Sequence, residues 1–130
     1  MNHKRVGAAA TSLGMLCAGL FAATPAAASG GDAVRTSGQC AHGVGTWKLK
    51  GKADDGRIEI EFEVETNRVG QVWHVRITDN GDVVVNRDFT TVAPSGSFTV
   101  HRRPANKAGT DTIRAHAFRG DTVCGGSVQV

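Results

Sequence analysis

The chain has 130 residues, with 15 Lys and Arg against 12 Asp and Glu and a formal charge of +3. That length suits one ordinary domain. The near-balance of charge excludes a protein built around the phosphate backbone of nucleic acid, which needs many uncompensated basic side chains.

Residues 1–28 have the layout of a secretory signal peptide: a basic start (His3, Lys4, Arg5), an apolar stretch from Val6 to Phe21, then Pro25 and the small run Ala26-Ala27-Ala28. The apolar stretch is too short and too rich in small residues to span a bilayer. Before Cys17 there is no small residue directly preceding it and no Leu three positions earlier, as a lipoprotein site has, and residues 1–28 hold no Arg-Arg pair, so soluble export by the general route is expected. Cleavage after Ala28 removes Lys4 and Arg5, leaving 13 basic against 12 acidic side chains on a secreted product free of the membrane. It also removes Cys17. Cys40 and Cys124 remain and are expected to pair in an oxidising compartment. The loop so closed spans most of the mature chain, and the chain-entropy model gives such a bridge at most about 4–5 kcal/mol. A zinc site on Cys40 and His42 is the rival, but no second ligand pair at zinc spacing follows.

Residues 29–45 are rich in Gly, Ser and Ala without periodicity and read as a flexible leader tied down at Cys40. From Trp47 the period is two. Trp47, Leu49, Gly51 and Ala53 alternate with Lys48, Lys50 and Lys52. After Asp54-Asp55-Gly56, Ile58, Ile60, Phe62 and Val64 alternate with Glu59, Glu61, Glu63 and Glu65. A two-residue turn at Asp55-Gly56 sets Lys52 opposite Glu59, Lys50 opposite Glu61 and Lys48 opposite Glu63. The other face then pairs Gly51 with Ile60, Leu49 with Phe62 and Trp47 with Val64. A one-residue slip would bury charge, so this register is specified by both faces.

Further strands are expected at Val72–Thr78, with a turn at Asp79-Asn80-Gly81, then at Val83–Phe89, Ser97–His101, Thr112–Phe118 and Val123–Val130. Seven short strands over residues 46–130, with no helical stretch, predict an all-β, antiparallel sandwich of immunoglobulin-like type with one disulfide. A small β-barrel is the alternative, because strand counting does not separate stacking from closure. Trp73 is the candidate central core aromatic. The bridge is expected to clamp the leader to the last strand instead of joining two central strands. The sequence contains no Tyr, so a tyrosine corner is excluded.

The segments Thr46-Trp47-Lys48-Leu49-Lys50, Asp54-Asp55-Gly56-Arg57-Ile58, Val72-Trp73-His74-Val75 and Pro94-Ser95-Gly96-Ser97-Phe98, with Cys124, give a pattern that resembles small, uncharacterised secreted actinobacterial proteins with immunoglobulin-like character. The resemblance implies the fold and export. It carries no activity and no functional residue.

No catalytic constellation emerges. The carboxylates Glu59, Glu61, Glu63 and Glu65 share one strand face, but three are opposed by lysines. Ser95 and Ser97 lie in a turn, and no Gly-x-Ser-x-Gly elbow is present. Asp79-Asn80-Gly81-Asp82 lacks the register and closing Glu of a calcium loop. One arrangement suggests binding. If the strands holding Trp73 and Ala115 are neighbours, His74 and Arg76 on one and Arg114, His116 and Phe118 on the other share an outer face. Such a patch suits an anionic partner and strengthens as histidines protonate. The sequence reading is therefore a secreted, monomeric, non-enzymatic binding or interaction domain of unknown target, for which the patch suggests an anionic extracellular partner, using no cofactor, metal or nucleic acid. A small extracellular hydrolase on a β scaffold is the alternative. A third reading is a small-ligand carrier that resembles the apoproteins of actinobacterial chromoproteins, although it lacks their second disulfide.

Overall fold

The computed structural model describes residues 31–130, so the signal peptide expected at 1–28 lies outside the described residues. Eight strands follow in chain order: β1 (Val34–Gln39), β2 (Thr46–Asp54), β3 (Arg57–Glu65), β4 (Val72–Asp79), β5 (Asp82–Thr90), β6 (Ser97–Arg102), β7 (Thr112–Arg119) and β8 (Thr122–Gln129). They form two four-stranded antiparallel sheets, β1-β2-β3-β6 and β5-β4-β7-β8. The sheets stack as an open sandwich, with the edge strands β1 and β8 packed against each other and no ladder joining the sheets into a barrel among the described residues.

Strands β2 to β8 occupy the segments where alternation predicts them. β1 is a correction, because it falls in residues 29–45, expected to be a flexible leader. It escapes a pattern search for a physical reason: its inward positions are Val34, Thr36 and Gly38, opposite Gly51, Leu49 and Trp47, so it offers almost no apolar signal of its own. Its hold comes from the ladder to β2 and from the Cys40–Cys124 bridge just beyond its end, with Cα atoms 4.3 Å apart and both cysteines buried. The bridge joins the end of the leader segment to β8, as expected.

The β2–β3 register is the one the charges demand, with Lys52 opposite Glu59, Leu49 opposite Phe62 and Trp47 opposite Val64. Asp55 and Gly56 take φ of 49° and 71°, the left-handed pair that a type I′ hairpin turn requires. The ion pairs depart from direct opposition in detail. Lys50 reaches diagonally to Glu59 at 3.1 Å, Lys48 lies 4.0 Å from Glu63, and Glu61 turns to His101 on β6 at 3.8 Å. The β6 neighbour, invisible in the hairpin alone, supplies the competing partner.

The inward sets interleave into one core in which Trp73, Phe62, Leu49, Ile58, Ile60, Ile77 and Ile113 are almost wholly buried. At the β1/β8 edge the Trp47 indole fills the room left by two glycines. A Cβ on Gly38 would lie 3.1 Å from the ring, and one on Gly126 would lie 2.5 Å from its Cη2. The rigid ring cannot yield by rotating a single bond, so Gly126→Ala is expected to destabilise the domain by about 1–3 kcal/mol. Urea denaturation of the oxidised protein checks this, with an unchanged midpoint as the contrary result.

Candidate functional site

Strands β4 and β7 are neighbours, and their register sets His74 opposite Phe118 and Arg76 opposite His116, with Arg114 opposite Thr78. All five residues expected to share an outer face do so, because each has the parity opposite to the buried Trp73, Val75, Ala115 and Ala117. Arg76, Thr78, Arg114, His116 and Phe118 line a shallow depression of about 210 Å³. Phe118 is 40% exposed and lies opposite Val123 on β8, which is 36% exposed, so an apolar strip borders the cations.

His74 stands apart from this group. Its Nδ1 lies 2.8 Å from a carboxylate oxygen of Asp88 and its Nε2 lies 2.7 Å from the amide oxygen of Asn86, both on β5. Two acceptors favour the doubly protonated ring, so these bonds, Asp88 first, raise its pKa above the usual histidine value. His116 moves the other way: burial, then the charge of Arg114, lowers its pKa. The two histidines therefore do not charge together. The lasting cations are Arg76 and Arg114, neither of which has an acidic partner at ion-pair distance among the described residues. The outer face of the other sheet differs in kind. Its depression of about 330 Å³ is lined by Lys48, Lys50, Glu61 and Glu63 beside Arg35, and lysines there are matched by carboxylates.

A second cluster lies at one end of the sandwich. Asp79, the last residue of β4, is 2% exposed and Asp111, just before β7, is 1% exposed. Burial, then a hydrogen bond to Asp111 and its charge, push the Asp79 pKa up to about 6, against a smaller opposing effect of Lys107. Asp79 borders a cavity of about 400 Å³ with Arg102, Arg103 and Lys107, but Lys107 is engaged by Asp82 and Arg103 by Asp54. The Asp111 backbone pairs in both directions with Val130, and Asn80 donates to Thr110 and accepts from the Thr112 N–H. Asn80 thus fastens the β4–β5 turn to the segment before β7, while Asp79 Oδ1 and Asp111 Oδ2 stay buried without a protein partner. Sequence reading placed Asp79 in a turn and missed the pair, because Asp111 is 32 positions beyond it and no local pattern links them. Among the described residues no three His, Cys, Asp or Glu side chains gather as metal ligands.

The sequence matches no protein-family model and no curated protein, and no solved structure matches it. The chemistry of the site itself carries the reading.

Two titrations follow. In imidazole NMR spectra, His74 is expected to titrate above 6.5 and His116 below it, and Asp88→Asn is expected to lower the first midpoint without moving the second. Asp79 holds its proton more tightly folded than unfolded. Its contribution is fully present below the unfolded pKa of 3.8 and is lost as pH rises through about 6. Asp79→Asn, which mimics the protonated acid, is expected to raise stability at pH 7 by about 1–2 kcal/mol and to flatten its dependence between about pH 4 and 6. Thermal melts of both proteins across that range measure it.

Proposed function

We propose that the protein is an exported, non-catalytic binding domain of immunoglobulin-like type, whose β5-β4-β7-β8 outer face takes an anionic extracellular partner. The observation that carries this reading is the pair Arg76 and Arg114, free of acidic partners among the described residues and set beside exposed Phe118. An exposed aromatic bordered by free guanidiniums offers apolar contact and bidentate recognition of an anionic group together.

The strand order supports the fold type. Taking β2 to β8 as strands A, B, C, C′, E, F and G, the sheets run A-B-E and C′-C-F-G, with the buried Trp73 on strand C. The bridge differs from antibody domains, since it joins an additional strand before A to strand G. The disulfide supports an oxidising, extracellular setting, and among the described residues no helix is long and apolar enough to cross a membrane. A binding role is favoured over hydrolysis because the two clustered carboxyls, Asp79 and Asp111, are buried at 2% and 1% exposed, whereas Arg76, Arg114 and Phe118 face solvent.

Retention on a sulfated polysaccharide matrix tests the reading. Arg76→Ser with Arg114→Ser is expected to weaken binding about fivefold, the sum of two exposed charge contacts. Lys48→Ser with Lys52→Ser removes the same charge from the opposite sheet and is expected to leave binding nearly unchanged. Equal loss from both pairs would reduce the interaction to net charge.

A further inference from the structure

The end of the sandwich opposite the carboxyl pair holds a cleft of about 480 Å³, within the range of small-ligand sites. Its walls come from three connections: the turn after Cys40 (Gly43, Val44), the β3–β4 loop (Thr66, Arg68, Gln71) and the β7–β8 turn (Arg119, Thr122), with Trp73 beneath. Arg119 has the same parity as the buried Ala117 and Ala115, but it lies past the end of the core, so alternation turns it over the mouth of the sandwich.

Two features mark a built site. Trp73 is 1% exposed, and its Nε1–H, a donor with no other polar function, has no acceptor from the protein. The side-chain oxygen of Gln71 is likewise buried and without a protein donor. These orphaned atoms belong to residues that line the same cleft, whose rim carries two guanidiniums. Neither Arg68 nor Arg119 has an acid at ion-pair distance among the described residues. Asp121, near in sequence, faces His42 at 3.8 Å.

The backbone beneath Arg68 is rigidly held. The single Thr66 hydroxyl proton is shared between the carbonyls of Arg68 and Gly96, whose oxygens lie 3.1 and 3.0 Å away, and the hydroxyl oxygen accepts from the Arg68 N–H. The Thr91 hydroxyl donates to the same Arg68 carbonyl and accepts from the Gln71 N–H at 2.9 Å. Gly96 permits this approach, since a Cβ there would lie 2.2 Å from the Arg68 nitrogen. The loop backbone is thus fixed, and a ligand reaches the buried Trp73 N–H by displacing a rim side chain.

We propose that this cleft binds a small carboxylate that carries an N–H or O–H donor on the adjacent carbon. The carboxylate accepts from Arg68, Arg119 and the Trp73 indole, and the neighbouring donor satisfies the Gln71 oxygen. An acylated peptide C terminus and an α-hydroxy acid such as lactate share this chemistry. The site is separate from the Arg76/Arg114 face and does not depend on it.

Indole ¹H–¹⁵N NMR of the oxidised protein tests it, because the two tryptophans, Trp47 and Trp73, give separate side-chain signals. Titration with N-acetylalanine and, separately, lactate is expected to shift the Trp73 signal with saturation while the Trp47 signal stays in place. The tighter probe identifies the source of the carboxylate. N-acetylalaninamide and methyl lactate, which lack the charge, are expected to leave both signals unmoved. Arg68→Gln and Arg119→Gln, at exposed positions that leave the core intact, are each expected to weaken binding about tenfold. Arg76→Ser with Arg114→Ser is expected to leave it unchanged. No shift of the Trp73 signal at millimolar concentrations of either acid would overturn the proposal, as would equal shifts with the neutral probes or full binding in both Arg→Gln variants.

Discussion

The covalent join between Cys40 and Cys124 is the constraint on which the β1/β8 edge of the sandwich depends. β1 has a single hydrogen-bonded neighbour and faces the core with Val34, Thr36 and Gly38, too little apolar surface to hold an edge strand. The bridge supplies what burial does not: closing a loop of 84 residues removes up to about 4–5 kcal/mol of chain entropy from the unfolded state. That approaches the whole net stability of a typical domain, about 5–15 kcal/mol. The same join holds the turn that follows Cys40, in which the Cys40 N–H donates to Gly45, against the start of β8. It thereby fixes one wall of the Arg-rimmed cleft, so an element of stability also shapes that cleft.

Both outer faces arise from the same period-two alternation, yet they dispose of charge differently. On the β2–β3 hairpin the lysines and glutamates neutralise one another, and Lys50 lowers the pKa of Glu59 by hydrogen bonding to it. On β4 and β7 the outward arginines have no such partners. Exposed ion pairs are worth at most about 1 kcal/mol each, so neither arrangement matters greatly to folding. The free guanidiniums are therefore not explained by stability. Phe118 and Val123 beside them add apolar area that the core does not use.

Legibility in the sequence followed the range of the interactions. The β2–β3 register was readable because its turn and both faces lie within one stretch, Thr46–Glu65, where every choice of side chain agrees. The outer face of β4 and β7 was readable once those strands were taken as neighbours, since parity then decides the side. His74 was only half legible, because its position on that face says nothing of Asp88 and Asn86 on β5, which hold the ring. β1 was hidden by its small inward residues. The carboxyl pair and the cleft were hidden more deeply. Asp79 with Asp111, and Trp73 with Arg68 and Arg119, are assembled by loops at opposite ends of the sandwich, and no period connects them.

Both ends of the sandwich bury polar groups. At one, Asp79 Oδ1 and Asp111 Oδ2 are buried without a protein partner, and the β4–β5 turn is tied to the segment around Asp111 by the bonds of Asn80 to Thr110 and Thr112, with the Asp111 backbone paired to Val130. At the other, the Trp73 N–H and the Gln71 oxygen remain without protein partners, each a penalty of about 1–3 kcal/mol for a buried polar group. A domain with roughly 5–15 kcal/mol of net stability keeps such a deficit at a measurable cost. Phenylalanine in place of Trp73 would remove the donor while preserving an aromatic core residue. The indole N–H is thus costly to the fold and suited to the carboxylate proposed for its cleft.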